Sequence, residues 1–228
     1  MSNKALCIVV GAGNGLGESL VQKFSQQNYH VVAISRSQGG VNEGNITTIQ
    51  VDASKYDLLE ATLNEVFDKY GLPSVLIHNT AQLYIESLQD TSVEHFTSAW
   101  QSMVLSAFNV MKIIVPKMAQ QSRGTVIVSG ATASLKAGAN FSAFASAKFA
   151  LRGLVQSVAR EYQNQGIHIA HVVLDGILDT PASRKIHSLD PSDMMSTQDV
   201  AEAYIQIVQQ KSSTWTHELD LRPKNEIF

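Results

Sequence analysis

Gly11, Gly15 and Gly17 follow the apolar run Leu6–Val10 and precede leucines and a valine at helical spacing. Glycine is needed where a turn is tight and the main chain must approach a pyrophosphate with no Cβ in the way. A helix opening just after such a turn directs free amides and its positive dipole end at the same point. Gly11, Asn14, Gly15, Leu16 and Gly17 therefore read as a phosphate cradle for a dinucleotide. A second group, Ser35-Arg36-Ser37, ends the next apolar run. An acid there would hold the ribose hydroxyls of NAD, whereas an arginine meets a 2′-phosphate as a charged fork. With Ser35 and Arg36 and no acid, the chain favours NADP over NAD. His168 and His171 do not form a metal pair, because three residues apart on a strand they face opposite sides, and no metal is expected.

These groups need elements to position them. Short apolar runs read as strands over Leu6–Val10, His30–Ile34, Ile46–Val51, Val75–His78, Thr125–Val128, His168–Leu174 and Glu218–Leu221. Between them lie helical spacings: Leu16 to Phe24, Leu59 to Tyr70, Phe96 to Met111, Phe144 to Tyr162, and Thr197 to about Gln210. Ser54 and Asp57 look like a capping pair for the second helix, and Pro116 should kink or end the third. The glycine-rich Gln38–Asn45 reads as a mobile surface turn. Regular alternation of strand and helix implies parallel strands joined by right-handed crossovers. The expectation is a single α/β domain over residues 1–228, doubly wound and Rossmann-type, with a parallel sheet of about seven strands flanked by helices.

Bulk properties agree with this fold. At 228 residues, 44% hydrophobic and 16% charged, the chain can bury a substantial core. A net charge of −3 without basic runs speaks against nucleic acid or an anionic membrane as partner. No signal peptide and no long apolar span are read from the sequence, so a cytoplasmic location is expected. Cys7 is the only cysteine and reads as a small buried hydrophobe.

The sequence resembles the short-chain dehydrogenase/reductase family over nearly its whole length. The resemblance is carried by Val10-Gly-Ala-Gly-Asn-Gly-Leu-Gly17, His78-Asn-Thr-Ala81, Val126-Ile-Val-Ser-Gly-Ala-Thr-Ala-Ser134, Phe144-Ala-Ser-Ala-Lys148 and Asp175-Gly-Ile-Leu-Asp-Thr180. It implies hydride transfer between a nicotinamide and a carbonyl or alcohol carbon. It places Asp52 and Ala53 against the adenine, Asn79 behind the cofactor, and Thr180 at the nicotinamide carboxamide, though the usual proline-glycine pair before that threonine is here Asp175-Gly176. Lys148 falls on the family lysine, which holds the ribose and lowers the pKa of a tyrosine four residues earlier. That tyrosine is replaced by Phe144; the family's serine falls on Ala131 and its asparagine on Met103, with Ser129 and Ser134 close enough to blur the serine assignment. In the enoyl-reductase spacing the tyrosine falls on Phe141, which brings no proton donor either.

Losing a positioned proton donor costs ~10²–10⁴-fold in rate, and losing the donor to the substrate oxygen about 10²–10³ more. The resemblance thus implies an oxidoreductase with non-standard proton transfer, better suited to a polarised C=C bond than to an ordinary ketone. The other reading is an inactive NADP(H)-binding sensor or partner subunit. Tyr84, His187 and Asp175 are candidate replacement donors. The substrate is an unknown small molecule, and the polar Pro181–Met195 loop suits a polar one. By resemblance, the helices around Phe96–Met118 and Phe141–Tyr162 form the interface of a homodimer or homotetramer.

Overall fold

The computed structural model describes residues 4–226; residues 1–3 and 227–228, the ends of the expected domain, lie outside the described residues. Among the described residues eight strands form one sheet: β1 (Leu6–Val10), β2 (His30–Ser35), β3 (Asn42–Glu43), β4 (Ile46–Gln50), β5 (Val75–His78), β6 (Gly124–Ser129), β7 (Ile167–Leu174) and β8 (Glu218–Leu221). Their spatial order is β3-β4-β2-β1-β5-β6-β7-β8. Every neighbouring pair is parallel except β3 with β4. The seven expected strands are all present. The eighth, β3, comes from the segment read as a surface turn: its two residues fold back antiparallel on β4 and shorten the exposed edge.

The helices are α1 (Leu16–Gln26), α2 (Tyr56–Tyr70), α3 (Val93–Trp100), α4 (Ser106–Gln120), α5 (Ser142–Tyr162), α6 (Ser183–Ile186) and α7 (Thr197–Val208). Alternation along β1 sends Cys7 and Val9 into one core with Leu20, Phe24 and Tyr204, under α1 and α7. It sends Ile8 and Val10 into the other with Leu59, Ile114 and Leu151, under α2, α4 and α5. Both faces are covered, which is why β1, β5, β6 and β7 are buried along their whole length. Each fully buried leucine or isoleucine contributes ~1.5–3 kcal/mol. Cys7 is buried as expected, and burial pushes its thiol well above the ordinary range.

Several local expectations give way. Ser54 and Asp57 do not cap α2; Lys55 holds the N-cap position without a side-chain bond. The turn before it is closed by Asp52, whose Oδ1 accepts from the Ser54 N–H at 2.9 Å. Pro116 lies inside α4, which continues to Gln120. The carbonyl that Pro116 leaves unpaired belongs to Lys112, an exposed residue whose carbonyl water can serve. α3 and α4 are joined by a π-helical turn, Gln101–Leu105. The resulting run, Val93–Gln120, is long and apolar enough to cross a membrane by length and composition, contrary to the expectation of no such span; 56% of its most apolar window is buried inside the protein.

Two buried histidines are held neutral. Burial lowers His78 to about 3, helped by the charge of Lys148. Burial lowers His171 to about 4 against the upward pull of Glu218. Their folded pKa values lie below the ordinary 6.5, so the stability linked to them is full above that pH. It is lost as pH falls toward 4 and 3, where only the unfolded chain takes up protons. The two together predict a loss of ~3 kcal/mol per pH unit in that window. Denaturant unfolding at stepwise pH values checks this. His78→Asn should roughly halve the slope, and an unchanged slope would contradict the assignment.

Candidate functional site

The chain leaves β1 toward β2 on one side and returns to β5 on the other, which opens a crevice at the carboxyl ends of β1 and β5. Gly11 and Asn79, the first residues beyond those strands, close its floor. A Cβ on Gly11, whose φ is 87°, would lie 2.4 Å from the Asn79 carbonyl oxygen. A Cβ on Gly15, whose φ is 105°, would lie 2.8 Å from Thr180 Cγ2. The glycines are therefore required by the packing of the turn itself. Gly15 is the N-cap of α1 and makes no side-chain cap bond, so the first amides of α1 remain available beside the crevice. Leu16 points into the core, and Gly17 is buried with it, so these two serve only through the main chain.

One cleft brings together Gly11, Ser35, Arg36, Asp52, Ala53 and Asn79. Ile34, Val51 and Ala53 give it an apolar wall, and Arg36 stands at its exposed end. Ser35 Oγ accepts from the Gln38 N–H at 2.9 Å and so fixes the turn that carries Arg36. Asn14 does not line this cleft; its Oδ1 accepts from Gln38 Nε2 at 3.3 Å in a separate pocket beside α1. Thr180 packs against Gly15, and its Oγ1 accepts from the Ser183 N–H at 3.1 Å to start α6. This set suits a dinucleotide: uncapped amides for a pyrophosphate, an apolar slot for a base, and a guanidinium where a 2′-phosphate would reach.

Lys148 lies on the inner face of α5 and is 2% exposed. Its Nζ donates to the Ser129 carbonyl at 2.9 Å and to the Thr80 carbonyl at 3.4 Å. Among the described residues these are its hydrogen-bond partners, and no carboxylate pairs with it. Burial lowers its pKa to about 8. Relative to the ordinary 10.5 this is a cost of about 3 kcal/mol for keeping the ammonium charged. The Nζ also stands 5.8 Å from the centroid of Phe144, one turn earlier.

Around Phe144 the site is apolar. Met103 sits in the π-helical turn, fully buried against Ala99, Ala143 and Ala147. Ala131 has no polar side chain, and neither nearby serine substitutes for one. Ser129 Oγ is buried between Asn79 Oδ1 at 2.8 Å and Tyr204 Oη at 2.9 Å. Ser134 Oγ is buried and accepts from the Ala131 N–H at 3.1 Å. Of the candidate donors, Asp175 is engaged by Thr132 Oγ1 at 2.6 Å and by Arg222 at 3.1 Å. His187 closes the turn after α6 through its main-chain N–H on Ser183. Tyr84 is half-buried and packs on the same cluster as Phe144.

The sequence reading missed the residues that hold Lys148 in place. Thr80 Oγ1 donates to the Ser102 carbonyl at 2.5 Å, as does Ser106 Oγ, and His78 Nε2 lies 2.8 Å from Ser106 Oγ. The π-helical turn provides the shared carbonyl. Ser129 and Asn79 link Lys148 to the glycine turn, because Asn79 Nδ2 donates to the Gly11 carbonyl at 3.3 Å. Position at the carboxyl ends of β5 and β6 was the one signal that could have marked Thr80 and Ser129.

Comparison with known proteins follows the same lines. A family model described as short chain dehydrogenase matches residues 5–190. An uncharacterized oxidoreductase of Staphylococcus epidermidis is 21% identical over 224 residues, covering 96% of each chain. A solved short-chain dehydrogenase from Rhodopseudomonas palustris is 31% identical with a TM-score of 0.81, covering 96% of this chain and 98% of that one. Solved structures of ElxO with NADP bound, and of an ElxO variant with phenylalanine in place of a tyrosine and NADPH bound, have TM-scores of 0.88 and 0.86 at 23% identity. They cover 96% and 95% of this chain, and 98% and 96% of their own.

The uncompensated charge of Lys148 sets an expectation for stability. Its folded pKa lies below its unfolded one, so the penalty is full below pH 8 and disappears as pH rises through about 10.5. Lys148→Met should raise the melting temperature at pH 7 by ~5 °C. That gain should shrink toward pH 10.5 in scanning calorimetry; a variant less stable at pH 7 would contradict the charge penalty.

Proposed function

The chain belongs to the short-chain dehydrogenase family, and we propose that it is an NADP(H)-dependent oxidoreductase whose reaction proton does not come from residue 144. The observation that carries this reading is a polar cleft beside an apolar cluster: Gly11, Ser35, Arg36, Asp52 and Asn79 line the cleft with Lys148 bonded behind it to Thr80, and Phe144 packs with Met103 on the cluster. The bound NADP and NADPH of ElxO and its variant support the choice of cofactor. The variant is pertinent because a phenylalanine in place of a tyrosine there coexists with bound NADPH.

When bound, the cofactor supplies a hydride and its two electrons. In this reading the α1 amides hold the pyrophosphate and Arg36 pairs with the 2′-phosphate. Asp52 and Ala53 border the adenine. Lys148, with two N–H bonds on the Ser129 and Thr80 carbonyls, gives its third to a ribose hydroxyl. Asn79 keeps the glycine turn against β5, and Thr180 closes the nicotinamide end. Phe144 excludes water from the reacting carbon but moves no proton. A polarised C=C bond of a small molecule remains the best-suited acceptor group, because carbonyl reduction leans hardest on the missing hydroxyls. In the same reading the protein acts in the cytoplasm as a homodimer or homotetramer. The apolar side chains left exposed on α3, α5 and the π-helical turn, including Phe96, Leu105 and Phe149, would meet their copies there.

Calorimetry with NADPH and NADH tests the cofactor half. The expected result is micromolar NADPH binding with NADH at least about tenfold weaker, and Arg36→Ala should remove most of the difference. Phe144→Tyr with Ala131→Ser then tests the reacting half: ketone reduction should rise by ~10² or more. No binding of either cofactor would overturn the reading. Binding without turnover against carbonyls, quinones and enones would favour a sensor or partner subunit.

A further inference from the structure

We propose that Gln82 is a specificity-determining residue: its side-chain amide, held by Tyr84, positions the Arg36 guanidinium for the 2′-phosphate of the dinucleotide. The inference rests on the NADP(H) reading above and names the group that aims the arginine on which that reading depends.

The sheet topology brings the two residues together. Arg36 is the first residue beyond β2, and Gln82 lies on the segment after β5. In the sheet β1 runs between those two strands, and Gly11 is the first residue beyond it. Arg36 lines the cleft from the β2 side, and Asn79, Thr80 and Ala81 line it from the β5 side. Arg36 Nη1 donates to Gln82 Oε1 at 3.4 Å and so joins the two sides across the end of β1. Arg36 is exposed, and an exposed arginine gives up many rotamers when a phosphate binds. A partner that already selects among those rotamers removes part of this cost before the ligand arrives.

The chemistry of the partner suits that task. Among the described residues no carboxylate pairs with Arg36, and Gln82 is the acceptor its guanidinium meets. One N–H goes to Gln82, and the other donors are left for a phosphate. A carboxylate at position 82 would neutralise the guanidinium and repel the phosphate. An amide oxygen carries no net charge, so it steers the arginine without doing either. At 3.4 Å the bond is long, and a phosphate makes shorter, charge-assisted bonds to the same group.

The amide is held at both ends. A guanidinium only donates, so Gln82 must turn its oxygen to Arg36. Its Nε2 then donates to the Tyr84 hydroxyl oxygen. The Tyr84 ring stacks on His95 with centroids 4.2 Å apart and planes 10° from parallel. His95 Nδ1 is in turn fixed 2.9 and 3.0 Å from the two carboxylate oxygens of Glu86. The Glu86 N–H donates to the Asn140 carbonyl at 2.9 Å, just ahead of α5. Arg36, on a strand end, is thereby referenced through Gln82 and Tyr84 to the helix that carries Lys148.

The test is calorimetric titration of NADPH and NADH into the full chain and its Gln82→Leu, Arg36→Ala and doubly substituted variants. Gln82→Leu should weaken NADPH ~5-fold and move NADH by less than about twofold. In the Arg36→Ala background the same substitution should change NADPH affinity by less than about twofold, because Gln82 acts through the arginine. Tyr84→Phe should shift the NADPH-to-NADH ratio in the same direction by a smaller factor. Gln82→Glu keeps the shape of the side chain, so it carries the test where Gln82→Leu does not fold; it should weaken NADPH more than NADH. Equal losses for the two cofactors, additive losses in the double variant, or no change in Gln82→Leu would overturn the proposal and leave the NADP(H) reading standing. An unaltered chain that binds both cofactors equally would overturn the cofactor choice and the proposal with it, and one that binds neither would overturn the oxidoreductase reading as well.

Discussion

A buried ammonium held by main-chain carbonyls is the constraint around which the site is organised. Lys148 reaches Ser129 at the end of β6 and Thr80 just beyond β5, so its position depends on the register of those two strands. Thr80 depends in turn on the Ser102 carbonyl, made available by the π-helical turn. Ser129 depends on Asn79 and Tyr204, and Asn79 on Gly11. One set of hydrogen bonds therefore joins the lysine, the glycine turn and the break in the long helix. A π-helical turn inside a helix is often the trace of a functional site. Here Met103 fills the turn with apolar atoms.

This arrangement separates two roles that a tyrosine-lysine pair would share. The lysine charge is costly in the folded chain, and nothing in the packing of α5 requires it. A methionine would fill the same space without the ~3 kcal/mol penalty. Two main-chain carbonyls hold this charge, and no carboxylate pairs with it among the described residues. The Phe144 ring below it returns only a weak cation–π attraction, ~0.5–2 kcal/mol. Phe144 carries no hydroxyl, so under the proposed function the proton of any turnover comes from another group.

Much of this was legible in the sequence. Seven strands, both helical layers and the glycine turn followed from hydrophobic period and from glycine placement, because fully buried parallel strands leave little freedom in either. What escaped were features set by tertiary contact. β3 forms because Val41 and Thr48 exchange hydrogen bonds across a glycine-rich hairpin, where no apolar pattern is needed. α4 runs through Pro116 because the lost bond falls on the solvent side. Asp52 takes over the start of α2 from Ser54 through a turn that spacing alone does not distinguish. The cleft residues Gly11, Ser35, Arg36, Asp52 and Asn79 were found because each stands at or just beyond the end of a strand. Thr80 and Ser106 were missed because their importance lies in which carbonyl they face.

The most direct test of this account is the titration of the Lys148 side chain, followed by ¹⁵N NMR of the full chain labelled at lysine and assigned with Lys148→Met. Without ligand its midpoint should lie near 8, far below the ordinary 10.5. Saturation with NADP⁺ should move it upward, because a ligand that accepts from the ammonium favours its charged form and binds more weakly once the proton is gone. A midpoint near 10.5, unmoved by the cofactor, would describe a solvated surface lysine and contradict the account.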